Sequence, residues 1–289
     1  MIQGSCVALV TPFKNGSIDE NKLRDLVEFQ IANKTSAIVP CGTTGESSTL
    51  THEEHSRVIE IVIQQARKRI PIIAGTGSNS TSEALHLTSQ AQQFGADAAL
   101  VIVPYYNKPT QEGMQEHFSA IAKNVSIPLI IYNIPGRTGV NMLPSTLVKL
   151  VEKNKNIVGV KESSGNLEQI SEILRLLQGH KKFSLLSGDD ALTLPIIAVG
   201  GKGVISVMAN IYPKQTAQLC DLALKGQFVK AQQLHYKYLP LMKALFIETN
   251  PAPVKTAMEI LKLCSSEMRL PMCPLLPENK KILAQAIKI

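Results

Sequence analysis

The stretch Ile157-Val158-Gly159-Val160-Lys161, followed by Glu162-Ser163-Ser164-Gly165-Asn166, decides how the rest of the chain is read. The run is short, apolar and β-branched, and small polar residues bound it, which is the pattern of a buried strand. Lys161 stands at its C-terminal tip. Desolvation there favours the neutral amine, and a neutral amine is a nucleophile toward carbonyl carbon. A lysine at a strand end also serves as a charged gatekeeper or as half of an ion pair, so Lys161 alone leaves both readings open.

Working outward, comparable runs recur at Cys6-Val10, Ala37-Cys41, Ile70-Ala74, Ala98-Val103, Ile127-Tyr132, Phe183-Ser187 and Val204-Val207. A polar turn and a helix-period segment follow each of them. Leu23, Leu26, Val27 and Ile31 mark one helix; Val58, Ile59, Val62, Ile63 and Ala66 mark another. Strands that alternate with helices pair in parallel through crossovers, and eight such units predict a closed (β/α)8 TIM barrel of the α/β class. A doubly wound sheet is the alternative, but the first turn, Thr11-Pro12-Phe13-Lys14-Asn15-Gly16, lacks the dinucleotide fingerprint. From Pro213 onward the pattern is helical only, punctuated by Asn250-Pro251-Ala252-Pro253 and by Pro271, Pro274 and Pro277. The expected organisation is a catalytic barrel over residues 1–224 and a small C-terminal helical extension over 225–289, packed on it.

The 289 residues are 44% hydrophobic and 18% charged, a balance that suits one sizeable core. The five cysteines (Cys6, Cys41, Cys220, Cys264, Cys273) are scattered without a C-x-x-C pair, as expected of thiols in a reducing compartment. The N-terminus has no basic stretch ahead of an apolar one, and no run is long enough to span a bilayer, so a cytoplasmic protein without membrane contact is expected. The net charge of +7 is dispersed. Its densest cluster, Arg67-Lys68-Arg69, ends a helix, where the helix dipole favours cations. That argues against nucleic acid as a partner and leaves a mild field that collects small anions.

In a barrel of this kind the chemistry sits where the strands end. The tips carry Gly42-Thr43-Thr44-Gly45-Glu46, Tyr105-Tyr106, Tyr132 with Asn133 and Arg137, Lys161, Gly188-Asp189-Asp190 and Ile205-Ser206. An amine, phenols, paired hydroxyls and a guanidinium at one mouth are the equipment of Schiff-base carbonyl chemistry. The Gly42–Gly45 loop holds an anion on its backbone N–H groups or is simply a tight turn. Arg137 suits a substrate carboxylate or a surface salt bridge. Thr51-His52-Glu53-Glu54 opens a helix with a capping-box pattern. His52 and His55 stand three apart rather than four, without a third ligand pattern, so no metal site is expected.

Gly42-Thr43-Thr44-Gly45-Glu46, Pro104-Tyr105-Tyr106-Asn107-Lys108-Pro109, Tyr132-Asn133-Ile134-Pro135-Gly136-Arg137-Thr138-Gly139 and Val160-Lys161-Glu162-Ser163 resemble the class I pyruvate aldolases. Among their branches the match is closest to the dihydrodipicolinate synthases. It extends through Leu186-Ser187-Gly188-Asp189-Asp190 and Asn250-Pro251-Ala252-Pro253-Val254-Lys255, essentially the whole chain. The resemblance implies that Lys161 forms an imine with pyruvate, which condenses with L-aspartate 4-semialdehyde, without metal or organic cofactor. It assigns proton transfer to Tyr132, linked through Thr43 to a Tyr106 from the neighbouring subunit. It assigns the pyruvate carboxylate to Thr44, backbone contacts to Ile205, a lining role to Gly188 and the acceptor carboxylate to Arg137.

Sister enzymes, N-acetylneuraminate lyase and the sugar-acid aldolases, share the lysine and tyrosine. Thr43, Tyr106 and Arg137 together favour the synthase branch. Intact Lys161, Tyr132, Thr43 and Tyr106 argue against a catalytically silent, ligand-sensing barrel. The resemblance further implies feedback inhibition by L-lysine at a dimer-interface site formed by Ser47, Ser48, His52, His55, Asn79, Glu83 and Tyr105. Ser48 replaces the alanine usual there. It also implies a homo-oligomer, a dimer of dimers.

Overall fold

The computed structural model describes residues 2–288. Eight parallel strands form one sheet: β1 (Gly4–Ala8), β2 (Ala37–Val39), β3 (Ile73–Gly75), β4 (Ala98–Ile102), β5 (Leu129–Asn133), β6 (Ile157–Glu162), β7 (Ser184–Ser187) and β8 (Gly203–Ser206). Each strand from β3 to β8 pairs with the next, and β1 joins β8 to β2. The ring closes between β2 and β3, where Ile38 bridges Ile72 and the Gly75 N–H donates to the Pro40 carbonyl at 3.0 Å. The β1–β8 seam brings Gly4 opposite Gly203, and a Cβ on residue 203 would overlap the Gly4 backbone. Only glycine permits that approach.

Closure buries both faces of every strand, which is why the runs are apolar without alternation. Cys6, Ala8, Val39, Leu100, Ile130, Leu186 and Ile205 fill the barrel interior. Val7 and Ile38 on one side, and Val101, Ile131 and Val160 on the other, pack outward into the helical layer. That layer consists of α1 (Glu20–Ala32), α2 (His52–Ala66), α3 (Thr81–Phe94), α4 (Gln111–Asn124), α5 (Pro144–Lys153), α6 (Leu167–Leu176), α7 (Thr193–Ala198) and α8 (Pro213–Leu224). Thr51 caps α2 with both halves of the capping box in place. Arg67-Lys68-Arg69 ends it as an ion-paired terminus, with Lys68 on Asp97 at 2.8 Å and Arg69 on Glu28 at 2.5 Å.

Strand ends differ from the apolar runs by up to three residues, and two strands are displaced the most. The first spans Gly4–Ala8 rather than Cys6-Val10, because Gly4 begins the pairing with β8 and the Val10 N–H turns away to the Asn210 side chain at 3.1 Å. The third spans Ile73–Gly75 rather than Ile70-Ala74: Pro71 has no N–H, and the Ile72 N–H is spent on the Asp97 carboxylate at 2.9 Å.

Beyond α8 come α9 (Phe228–Ala244), α10 (Ala252–Ile260) and α11 (Pro277–Ala286). α9 packs on α8, and α11 packs on both α9 and α10. The segment is not helical throughout, since residues 261–276 run without a helix past Pro271 and Pro274. Among the described residues no helix is long and apolar enough to cross a membrane.

His117 on α4 is buried; its Nδ1 lies 2.9 Å from the Thr81 hydroxyl, and its Nε2 has no partner among the described residues. Burial pushes its pKa down from 6.5 to about 4, and that of His55 likewise. Both rings are therefore neutral in the fold and protonate more readily once unfolded. The stability this provides is complete above pH 6.5 and is lost as pH falls toward 4, at about 1.4 kcal/mol per pH unit for each histidine. Denaturant melts between pH 7 and 4.5 should show that slope, and His117→Gln should make it shallower.

Candidate active site

The parallel register of β5 and β6 sets Tyr132 opposite Lys161, at the C-terminal ends of both strands. Both side chains are buried, and the Lys161 Nζ lies 4.1 Å from the centroid of the Tyr132 ring. The amine thus faces a π surface rather than a carboxylate, a contact that stabilises the cation weakly compared with an ion pair. The Cys6 thiol lies in the same interior. Burial pushes its pKa up to about 12, against the opposing Lys161 charge, so Cys6 stays protonated and does not compete as a nucleophile.

After β2 the chain forms a tight turn at Thr43–Gly45, in which the Gly45 N–H donates to the Gly42 carbonyl at 3.0 Å. The Thr11 hydroxyl secures the turn from β1, donating to the Gly45 carbonyl at 2.7 Å. Opposite it, Arg137 rides on a one-turn helix, Pro135–Thr138, that leaves the tip of β5. Asn250 joins the two sides. Its Nδ2 donates to the Thr44 Oγ1 at 3.0 Å, and its carbonyl accepts from the Arg137 Nη2 at 3.1 Å. Thr43, Thr44, Tyr132, Arg137, Lys161, Gly188 and Asn250 line one small cavity of 50 Å³. Ile205 lies below this mouth, in the buried interior layer.

Two buried carboxylates brace the strand tips. Glu162 accepts from the Asn133 Nδ2 at 3.0 Å and from the Ser164 N–H at 2.7 Å, locking the residues that follow Tyr132 and Lys161 to each other. Asp190 accepts from the Ser206 hydroxyl at 2.5 Å and from the Val207 and Met208 N–H groups at 3.0 and 2.9 Å, which fixes the turn after β8. Burial raises its pKa, while those donors work against the rise.

A larger cavity of 450 Å³ opens from Thr43, Tyr132 and Arg137 toward Ser47, Ser48, His52, His55, Glu83 and Tyr105. In it the His52 Nε2 lies 2.6 Å from the Glu83 carboxylate, which also accepts from the Ser78 hydroxyl. These contacts, with Ser78 foremost, hold the Glu83 carboxyl below its usual range. Of the residues expected at this second site, Asn79 alone stays outside the cavity lining, and its carbonyl accepts from the Asn107 side chain at 2.9 Å. Tyr106 is not brought to Thr43 within one chain. It is 89% exposed, with a left-handed backbone (φ 70°). Among the described residues no three His, Cys, Asp or Glu side chains group as a metal site.

Asn250, Glu46 and Lys255 stand in the sequence motifs without a role there, and nothing local marks Glu162 and Asp190 as braces. A signal for Lys255 was present: it interrupts the apolar run Ala252-Pro253-Val254-Lys255-Thr256-Ala257-Met258, as Lys161 interrupts its own.

A parallel barrel with a buried lysine and tyrosine side by side at its C-terminal mouth fits a (β/α)8 barrel lyase. The chain belongs to the dihydrodipicolinate synthetase family, whose model matches residues 1–289. It is 58% identical over 288 residues to the 4-hydroxy-tetrahydrodipicolinate synthase of Geotalea uraniireducens, covering 100% of this chain and 98% of that one. Its fold matches the chloride-inhibited dihydrodipicolinate synthase of Acinetobacter baumannii complexed with pyruvate, with a TM-score of 0.97, 47% identity and coverage of 100% and 98%. It also matches the synthase of Cyanidioschyzon merolae with lysine bound, with a TM-score of 0.96, 40% identity and coverage of 99% and 97%.

At Gly188 an added Cβ would run into the Ser163 hydroxyl and approach the Lys161 Cε to 3.0 Å. Gly188→Ala should therefore displace the lysine and lower kcat about ten- to a hundred-fold. The far-UV circular dichroism should stay that of the native barrel.

Proposed function

We propose that the protein is a 4-hydroxy-tetrahydrodipicolinate synthase, condensing pyruvate with L-aspartate 4-semialdehyde in lysine and diaminopimelate biosynthesis. The observation that carries this reading is the Lys161 amine held 4.1 Å from the Tyr132 ring centroid, in a cavity walled by Thr44, Asn250 and Arg137. The Lys161 Nζ attacks C2 of pyruvate and water leaves, giving an imine. Loss of a methyl proton gives the enamine, with the iminium as electron sink, so the reaction draws on no metal or organic cofactor. The enamine carbon then bonds to the aldehyde carbon of the semialdehyde, and the new alkoxide takes a proton. The acceptor's own amine finally attacks the imine carbon, closing the ring and freeing Lys161.

Tyr132 relays these protons, with Thr43 and a Tyr106 from a partner subunit completing the path. Thr44 receives the pyruvate carboxylate beside the free N–H groups of its turn. Ile205 offers backbone contacts, and Arg137 takes the acceptor carboxylate through its planar fork. The exposed, left-handed Tyr106 supports a dimer as the smallest active unit, two of which pair in the cytoplasm.

L-lysine acts as feedback inhibitor in the larger cavity, where Glu83 meets its ammonium and Ser47, Ser48, His52, His55 and Tyr105 supply polar contacts, with Asn79 at its rim. The lysine-bound relative supports this assignment. His52 already pairs with Glu83, whose carboxylate has further lone pairs to offer the inhibitor's ammonium.

Borohydride with pyruvate should reduce an adduct onto Lys161, found by peptide mass, and the semialdehyde should then be consumed by the native enzyme. An unlabelled Lys161 would remove the aldolase reading; labelling without turnover of the semialdehyde would point to a sister aldolase. Arg137→Ala should impair use of the semialdehyde far more than adduct formation. Millimolar L-lysine should inhibit the wild type, and Glu83→Gln should relieve it; activity that stays flat in lysine would exclude the feedback site.

A further inference from the structure

Lys255 is fully buried at the start of α10, among Val254, Ala257 and Met258. Its Nζ donates to the Glu46 Oε1 at 2.5 Å and to the Glu267 carbonyl at 2.7 Å, and lies 4.3 Å from the centroid of the Phe13 ring. Burial pulls the ammonium below its usual range, and the Glu46 charge works against that. The second Glu46 oxygen accepts from the Arg269 N–H at 3.2 Å. Both carboxylate oxygens are thus spent on the C-terminal extension, although Glu46 itself sits at the end of the Thr43–Gly45 turn.

Replacing a buried ion pair with apolar side chains is often neutral or stabilising, whereas removing one partner is strongly destabilising. A device of that kind contributes through geometry more than through net stability. The geometry here is specific. Glu46 adopts a left-handed backbone (φ 54°), and its N–H closes the turn on the Thr43 carbonyl at 3.1 Å. The same C-terminal segment supplies Asn250, which donates to the Thr44 hydroxyl. Arg269 then continues the strap, with its guanidinium on both Glu54 oxygens at 2.5 and 2.6 Å and on the Thr49 carbonyl at 2.9 Å.

We propose that Glu46 and Lys255 are a positioning pair for the reaction, anchoring the Thr43–Gly45 turn to the C-terminal extension so that Thr44 is preset to receive the keto-acid carboxylate. This rests on the reading that the turn binds pyruvate. Neither side chain touches the reacting atoms; both act through the turn.

The test separates positioning from stability. Glu46→Gln leaves Lys255 buried without its counter-charge and should lower the melting temperature. The double variant Glu46→Gln/Lys255→Met removes both charges at similar volume and should recover most of that loss. In both variants half-saturation by pyruvate should rise about ten-fold or more. Half-saturation by the semialdehyde, and the rate of borohydride labelling at saturating pyruvate, should stay close to wild type. The double variant carries the test if the single one fails to fold. Unchanged half-saturation by pyruvate in the folded double variant, with wild-type Lys161 still labelled, overturns the positioning pair alone. Absence of label on wild-type Lys161 overturns the pyruvate reading and the pair together.

Discussion

The structure depends on the hydrogen-bond register between β5 and β6. Side-chain direction alternates along a strand, so a slip of one residue would turn Lys161 out into the helical layer and Glu162 into the mouth. Several features hold the register: the run of pairs from Ile130 opposite Gly159 to Asn133 opposite Glu162, and the Asn133–Glu162 hydrogen bond just past the reactive tips. Only in this register do a tyrosine and a lysine face each other at a place that is dry yet open to a small carbonyl compound.

Two buried lysines in one chain show how the partner decides the role. Lys161 rests on an aromatic face and has no carboxylate partner among the described residues, whereas Lys255 is clasped by a carboxylate and a carbonyl. The first has its amine open toward the mouth cavity. The second is immobilised and can only serve as a strut. Both lie in otherwise apolar runs, and sequence context alone does not tell them apart.

Much of the fold was legible because closure of a parallel barrel leaves a plain signature, apolar runs alternating with 3.6-period segments. The misplaced ends of β1 and β3 came from backbone donors diverted to distant side chains, Val10 to Asn210 and Ile72 to Asp97, which no local pattern records. At the site, Lys161, Tyr132, Thr43, Thr44 and Arg137 were legible as chemistry-bearing residues at strand tips, and the structure brings them around one cavity. Asn250 was not, because its part is set by tertiary contacts with Thr44 and Arg137. Tyr106 is a different case: it stands 89% exposed and outside the lining of that cavity.

The link between Glu46 and Lys255 spans 209 residues. A ribosome that has already delivered the Gly42–Gly45 turn has still to make most of the protein before the strap that holds it can exist. Throughout synthesis that turn lacks this anchor, and until residues 250–269 emerge and dock it is held by its own hydrogen bonds and by Thr11. The cavity at the barrel mouth is therefore among the last parts of the molecule to be completed, and fragments ending at the eighth strand would carry Lys161 beside a turn without its strap.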